Sequence, residues 1–152
     1  MKKQKKFFWS KVFDFAKENY ENTESLSYEK KILVYQNLMK LKKIKKIKNF
    51  ENILNVISLK DIELPIDEYR GKMGFFYEYD IKNLKDILKK INHKCQTITY
   101  FGVKKKNFQT FIEELDNKGI DRIVPVGQAL NIDLVWDGFE INKILRRKIN
   151  LS

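Results

Sequence analysis

Histidine and cysteine occur once each in these 152 residues, and arginine only four times. The lone His93 and Cys95 leave little for a protein-built metal centre, which draws on clusters of His, Cys and carboxylates. A single cysteine excludes an internal disulfide and fits a reducing compartment. No apolar run approaches the roughly 20 residues of a membrane-spanning helix. The N-terminus is basic, but Lys11, Asp14, Lys17 and Glu18 interrupt the residues after it, so no apolar leader core forms. These absences lead to the expectation of a cytoplasmic protein. Neither a G-x-G-x-x-G dinucleotide fingerprint nor a G-x-x-x-x-G-K-[ST] phosphate loop is present.

What the chain has is apolar mass and lysine. Hydrophobic residues make up 43% and aromatic residues 13%, enough for one domain with a real core. The net charge of +11 is uneven. Residues 1–48 hold 14 lysines against 5 acidic residues, whereas the remainder is nearly balanced, with 17 basic and 15 acidic residues. Lysines number 27, beside 18 isoleucines and 13 asparagines, the joint excess expected of AT-rich coding. Nucleic-acid recognition favours arginine forks, which are scarce here. The run Lys40-Leu41-Lys42-Lys43-Ile44-Lys45-Lys46-Ile47-Lys48 has two readings. It is a phosphate-binding stripe, or a solvated helix face with Leu and Ile turned inward.

The periodicity divides the chain into a basic helical part (1–48), an irregular connection (49–72) and an α/β part (73–152). Phe8, Val12, Phe15 and Ala16 predict an amphipathic helix over 7–20. Ser27 is placed to cap a second helix reaching Ile47. A strand is possible at Ile53–Ile57, and Pro65 and Gly71 bracket a loop. Met73–Tyr79 is aromatic and β-prone. Ile81, Leu84, Ile87, Leu88 and Ile91 predict a helix that Asp80 caps. Gln96–Phe101 alternates as a strand, and Phe108, Phe111, Ile112 and Leu115 mark another helix. Gly119 is a candidate C-cap. Ile123-Val124-Pro125-Val126 reads as a short buried strand, and Ile141, Ile144, Leu145 and Ile149 as a final helix. A β-α-β-α-β order of this kind predicts a short, mostly parallel sheet flanked by helices.

The candidate chemistry is sparse. Cys95 is either a buried strand residue or half of a Cys–His pair with His93, and alternation sends the two apart. Gly102 with Lys104, Lys105 and Lys106 is a solvated turn or a phosphate contact. Arg122 can pair with Asp121, with Asp137 or with a cofactor phosphate, or can fix its strand against a neighbouring segment. Trp136-Asp137-Gly138 reads as a turn, with Asp137 capping the last helix and Trp136 covering a sheet edge or a subunit contact.

Three segments together carry a resemblance: Cys95–Gly102, then Gly119-Ile120-Asp121-Arg122-Ile123-Val124-Pro125-Val126-Gly127-Gln128-Ala129-Leu130, then Trp136-Asp137-Gly138-Phe139. In order and spacing they resemble the C-terminal region of long-chain acyl-CoA reductases. These are the fatty-acid reductase subunits of bacterial bioluminescence, within the aldehyde dehydrogenase superfamily. A looser likeness reaches back to Phe8, where Trp9–Tyr20 is similar to the helix shortly after the family's catalytic cysteine. The resemblance implies a partial aldehyde-dehydrogenase-like fold and reduction of a fatty acyl thioester to an aldehyde through an acylated cysteine and NADPH. It places both the nucleophile and the cofactor domain in a region N-terminal to the one matched. No catalytic role therefore passes to Cys95, and the expected partner is a chain carrying the missing parts, or a second copy. Gly119, Asp121, Arg122, Gly127, Trp136, Asp137 and Gly138 are motif residues with an expected structural role. The superfamily's Glu-x-Phe-Gly contact to the nicotinamide ribose corresponds to Glu68-Tyr69-Arg70-Gly71, where Arg70 replaces Phe; Glu68 is the one cofactor-binding candidate. The rival expectations are a small basic module for nucleic acid or an anionic surface, using Lys42, Lys43, Lys45 and Lys46, and a purely structural subunit.

Overall fold

Alternating helical and extended periods produce a mixed α/β chain of small sheets and short helices. The computed structural model describes residues 2–115 and 119–151. The chain forms two compact units, residues 1–81 and 82–152. Both expected internal boundaries, at 48/49 and 72/73, fall inside the first unit.

In the first unit, helix α1 spans Lys2–Asn19. Trp9, Val12, Phe13 and Ala16, spaced i, i+3, i+4 and i+7, form its packed stripe. Phe15, part of the expected stripe, is 63% exposed. Helix α2 spans Glu24–Lys40. Its cap is Thr23 rather than Ser27: the Thr23 hydroxyl accepts the Leu26 amide at 3.3 Å. The helix expected to reach Ile47 stops at Lys40, where Leu41 turns extended (φ −99°, ψ 122°). Ile44–Phe50 is instead strand β1. The reading of the lysine run as a solvated helix face fails, because its second half lies in a sheet.

Strand β2, Leu54–Leu59, runs past the expected Ile53–Ile57, and all six of its residues are buried. It lies between β1, antiparallel, and β3 (Phe75–Tyr79), parallel. Glu51 and Asn52, at φ +48° and +58°, form the primed turn that suits a right-twisted hairpin. Asn49 Oδ1 accepts the Asn52 amide at 3.0 Å and fixes that turn. Each face of the sheet has its own cover. Ile57, Leu59 and Phe75 pack with Leu41, Val34 and Ile47 on the α2 side. Leu54 and Phe50 pack with Val12, Phe13 and Ala16 on the α1 side. Lys30 of α2 is 1% exposed, and its ammonium donates to the carbonyls of Asn52 and Ile53, each at 3.2 Å. Burial pushes its pKa down.

The second unit holds two separate two-stranded sheets. Strand β4 (Thr97–Tyr100) pairs in parallel with β5 (Arg122–Pro125), with helix α3 (Gln109–Glu113) between them in sequence. Ile98 and Ile123 are register partners and both pack on the core of Leu88, Ile91, Phe108, Phe111 and Leu115. Strands β6 (Val135–Trp136) and β7 (Phe139–Glu140) form a hairpin that leads into α4 (Ile141–Leu145). Three expectations change here. The single parallel sheet is split, because β3 pairs with β2 and β4 with β5 in different sheets. The helix expected over 81–91 contracts to a 3-10 turn at Leu84–Ile87, capped by Asn83 and not Asp80. The final helix keeps five residues and leaves Ile149 95% exposed. Gly119, expected as a C-cap, does not cap α3, which ends at Glu113 with Glu114 in the cap position.

Ile57 sits at 0% exposure on the central strand, so truncation opens a cavity with no easy collapse. We expect Ile57→Ala to destabilise the first unit by about 3 kcal/mol. Urea unfolding followed by Trp9 fluorescence in a Trp136→Phe background reads this directly, and a midpoint within error of the parent would refute the two-faced burial of β2.

Candidate functional site

The motif residues of the second unit meet around one guanidinium. Arg122, on β5, donates from Nη1 to the Ala129 carbonyl and from Nη2 to the Asn131 carbonyl, both at 2.8 Å. The same guanidinium carbon lies 4.5 Å from the centroid of the Trp136 ring, a cation–π contact. Arg122 thus goes to two carbonyls and an indole. Of its alternative roles, the arginine takes the one of fixing β5 against a neighbouring segment, and neither Asp121 nor Asp137 holds it. Gly127 lies in the loop that Arg122 clasps, within a turn closed by the Gln128 amide on the Pro125 carbonyl at 3.1 Å. Asp137 and Gly138, at φ +48° and +78°, are the two turn residues of the β6–β7 hairpin. Asp137 therefore caps no helix; Glu140 stands at the start of α4, without a side-chain cap bond. A Cβ on Gly138 would sit 3.0 Å from Asp121 Oδ1, so the hairpin turn closes on the residue before β5. Gly119 has φ +89°, and a Cβ there would stand 2.7 Å from the His93 Cα. Only glycine permits that approach.

The remaining candidates stay apart. Cys95 packs against the second unit's core, and its thiol donates to Asn92 Oδ1 at 3.7 Å rather than to His93. His93 is exposed, as are Lys104, Lys105 and Lys106. Glu68 is exposed at the end of a 3-10 turn (Ile66–Glu68). Gly71, its motif partner, has a backbone reason of its own: a Cβ would lie 1.6 Å from the Phe75 carbonyl oxygen. Lys42 and Lys43 direct their amides to Glu63 Oε2 at 3.0 and 2.8 Å, and the Lys43 ammonium pairs with Asp61 at 2.9 Å. Of these two ammonium groups, the one on Lys43 is committed to an acid. Among the described residues, no group of three or more His, Cys, Asp or Glu could hold a metal ion, and no helix is long and apolar enough to cross a membrane.

A second constellation lies in the first unit. Between the start of α1 and the lysine-rich face of β1 is a cleft of about 870 Å³. At its base is Glu78 of β3, whose side chain is 13% exposed. Trp9 Nε1 donates to Glu78 Oε2 at 2.7 Å, and Ser58 Oγ donates to Oε1 at 2.8 Å. Lys5 and Lys48 each bring an ammonium to 3.5 Å from Oε1. Burial alone would push the Glu78 carboxyl up. The bonds from Trp9 and Ser58 and the charges of Lys48 and Lys5 outweigh it, leaving the carboxyl below its ordinary value. Asp80, near the rim, ion-pairs with Lys5 and Lys45 and is likewise held low, chiefly by its bond from Lys5. The sequence carried one sign of this site, a lone carboxylate in the aromatic strand Phe75-Phe76-Tyr77-Glu78-Tyr79.

No family model, curated protein or solved structure matches this chain.

The Arg122 clasp predicts a local effect. Arg122→Ala should free the hairpin and speed amide exchange across Trp136–Phe139, by an amount equivalent to about 2 kcal/mol. Lysine should not restore protection, because it lacks the planar fork. Unchanged exchange in the alanine variant would exclude the clasp. In the first unit, Glu78 and Asp80 have ordinary values of 4.5 and 3.8 and titrate lower when folded. Their stabilisation is fully present above about pH 4.5 and is lost as pH falls through the folded values. Glu78→Gln should therefore be less stable than the parent at pH 7, with the gap closing toward pH 3. Stability curves that stay parallel over that range would contradict it.

Proposed function

We propose that this chain is the C-terminal segment of a long-chain acyl-CoA reductase, working with a chain that supplies the cofactor domain and the acylated cysteine. The observation that supports this reading is the junction at Arg122. The separate motif segments that carry the resemblance form one connected piece: β4 beside β5, and Arg122 clasping the Gly127–Asn131 loop while stacking on Trp136.

On this reading the segment has a scaffolding role toward the reductase site. Cys95 faces the core with its thiol on Asn92, a poor setting for a nucleophile that needs an adjacent base. The residues here do not fit a dinucleotide site. Glu68 is exposed, Arg70 replaces the aromatic partner, and no glycine-rich strand-to-helix turn is present. On this reading NADPH sits in the partner chain. Leu130, Ile132, Leu145 and Ile149 are between 75% and 95% exposed, which supports a covering chain.

Alone, the pure chain should oxidise no NADPH in the presence of a long-chain acyl-CoA. Mixed with a chain bearing the cofactor domain and catalytic cysteine, it should co-purify with that chain and raise aldehyde formation. Turnover by this chain alone would overturn the division of labour, and full activity of the other chain without it would overturn the proposal.

A further inference from the structure

The cleft of the first unit carries more positive charge than its own carboxylates use. Five lysines line it: Lys5 and Lys6 from α1, and Lys45, Lys46 and Lys48 from β1. Two acids face them, Glu78 and Asp80. Lys5 and Lys48 are committed to Glu78, and Lys5 and Lys45 to Asp80. Lys6 and Lys46 have no acidic partner among the described residues. Lys6 also stands in the opening turns of an 18-residue helix whose first turn holds no acidic residue. A helix N-terminus carries partial positive charge, so added cations there are unfavourable unless an anion joins them. The cleft volume is within the range of small-molecule sites, and Trp9 and Phe50 give it an apolar side.

We propose that this cleft binds a phosphate ester, with the phosphate held between Lys6 and Lys46 and the organic part against Phe50. Glu78 does not repel the ligand strongly, because both of its oxygens are hydrogen-bonded and two ammonium groups offset its charge. The lysine ammonium suits this role as a mobile point charge with three donors. The site belongs to the first unit alone and stands independently of the reductase reading.

Calorimetric titration of the full chain with inorganic pyrophosphate at low salt tests the proposal. Saturable one-to-one binding is expected, weakened about tenfold or more in the double variant Lys6→Gln/Lys46→Gln. Both residues are exposed and carry no ion pair, so circular dichroism should remain that of the parent. A triple variant, Lys104→Gln/Lys105→Gln/Lys106→Gln, lowers the net charge further but should bind as the parent does. No saturable binding would overturn the proposal. So would equal binding by the double variant, or an equal loss in the triple variant, which would reduce the effect to bulk charge. Tighter binding of a single-stranded oligonucleotide, with affinity lost in both variants, would replace the small-ligand site by a nucleic-acid surface.

Discussion

A six-residue strand with no exposed side chain sets the terms for the first unit. Strand β2 can be buried on both faces only if each face has a cover and each edge a neighbour. Helices α1 and α2 supply the covers, and β1 and β3 the neighbours. The two faces are not alike. On the α2 side, apolar packing is supplemented by Lys30, whose buried ammonium ends on the carbonyls of the β1–β2 turn. On the α1 side, Leu54 and Phe50 are covered by Val12, Phe13 and Ala16, but Ser58 farther along breaks the apolar run. Ser58 and Glu78 are register partners across β2 and β3, so a polar pair lies under the N-terminal part of α1. A buried carboxylate there is tolerable only with donors and counter-charge. Trp9, Ser58, Lys5 and Lys48 provide both, and the cleft is the outcome of that requirement.

The second unit meets a different difficulty. Two-stranded sheets are marginal by themselves. The β4–β5 pair has the aromatic and aliphatic core of Phe108, Phe111 and Leu88 on one face. The β6–β7 hairpin has only two residues in each strand and exposes Val135 and Phe139. Its connection to β5 rests on Arg122, which satisfies loop carbonyls and stacks on the one large aromatic of β6. A planar five-donor cation does what a core too small to reach the hairpin cannot do.

These two arrangements were not equally legible in the sequence. Helix α1 and strands β3 and β4 announce themselves, because their apolar spacing fits one period and their neighbours agree with it. The stretch from Leu38 to Lys48 holds no glycine or proline to end a helix, yet the chain turns extended at Leu41. Local propensity lost there to a non-local demand, since β2 needs a partner along its open edge. The Arg122 cluster is confined to one short stretch ending at Trp136, and its glycines and Trp-Asp-Gly turn mark it as structured in advance. The cleft draws on Lys5, Trp9, Lys46, Ser58 and Glu78, spread across most of the first unit. No motif joins them, and only the strand order brings them together.

The lysines of β1 invite a simpler account, and geometry separates it from the site. An edge strand exposes unpaired amides and carbonyls, and charged side chains along it discourage pairing with another chain. Any outward lysine serves that purpose, and Lys45, at the bulge between Ile44 and Lys46, fits it. Lys46 and Lys48 are different. Their register partners are Ser58 and Val56, so they share the face that lies beneath α1. Lys48, partly withdrawn from water, must find compensation. Lys48 finds it in Glu78, at 3.5 Å. Lys46 stays exposed at the same face, with no acidic partner among the described residues. Edge protection therefore accounts for the outward lysine and Glu78 for Lys48; an anion in the cleft accounts for Lys46.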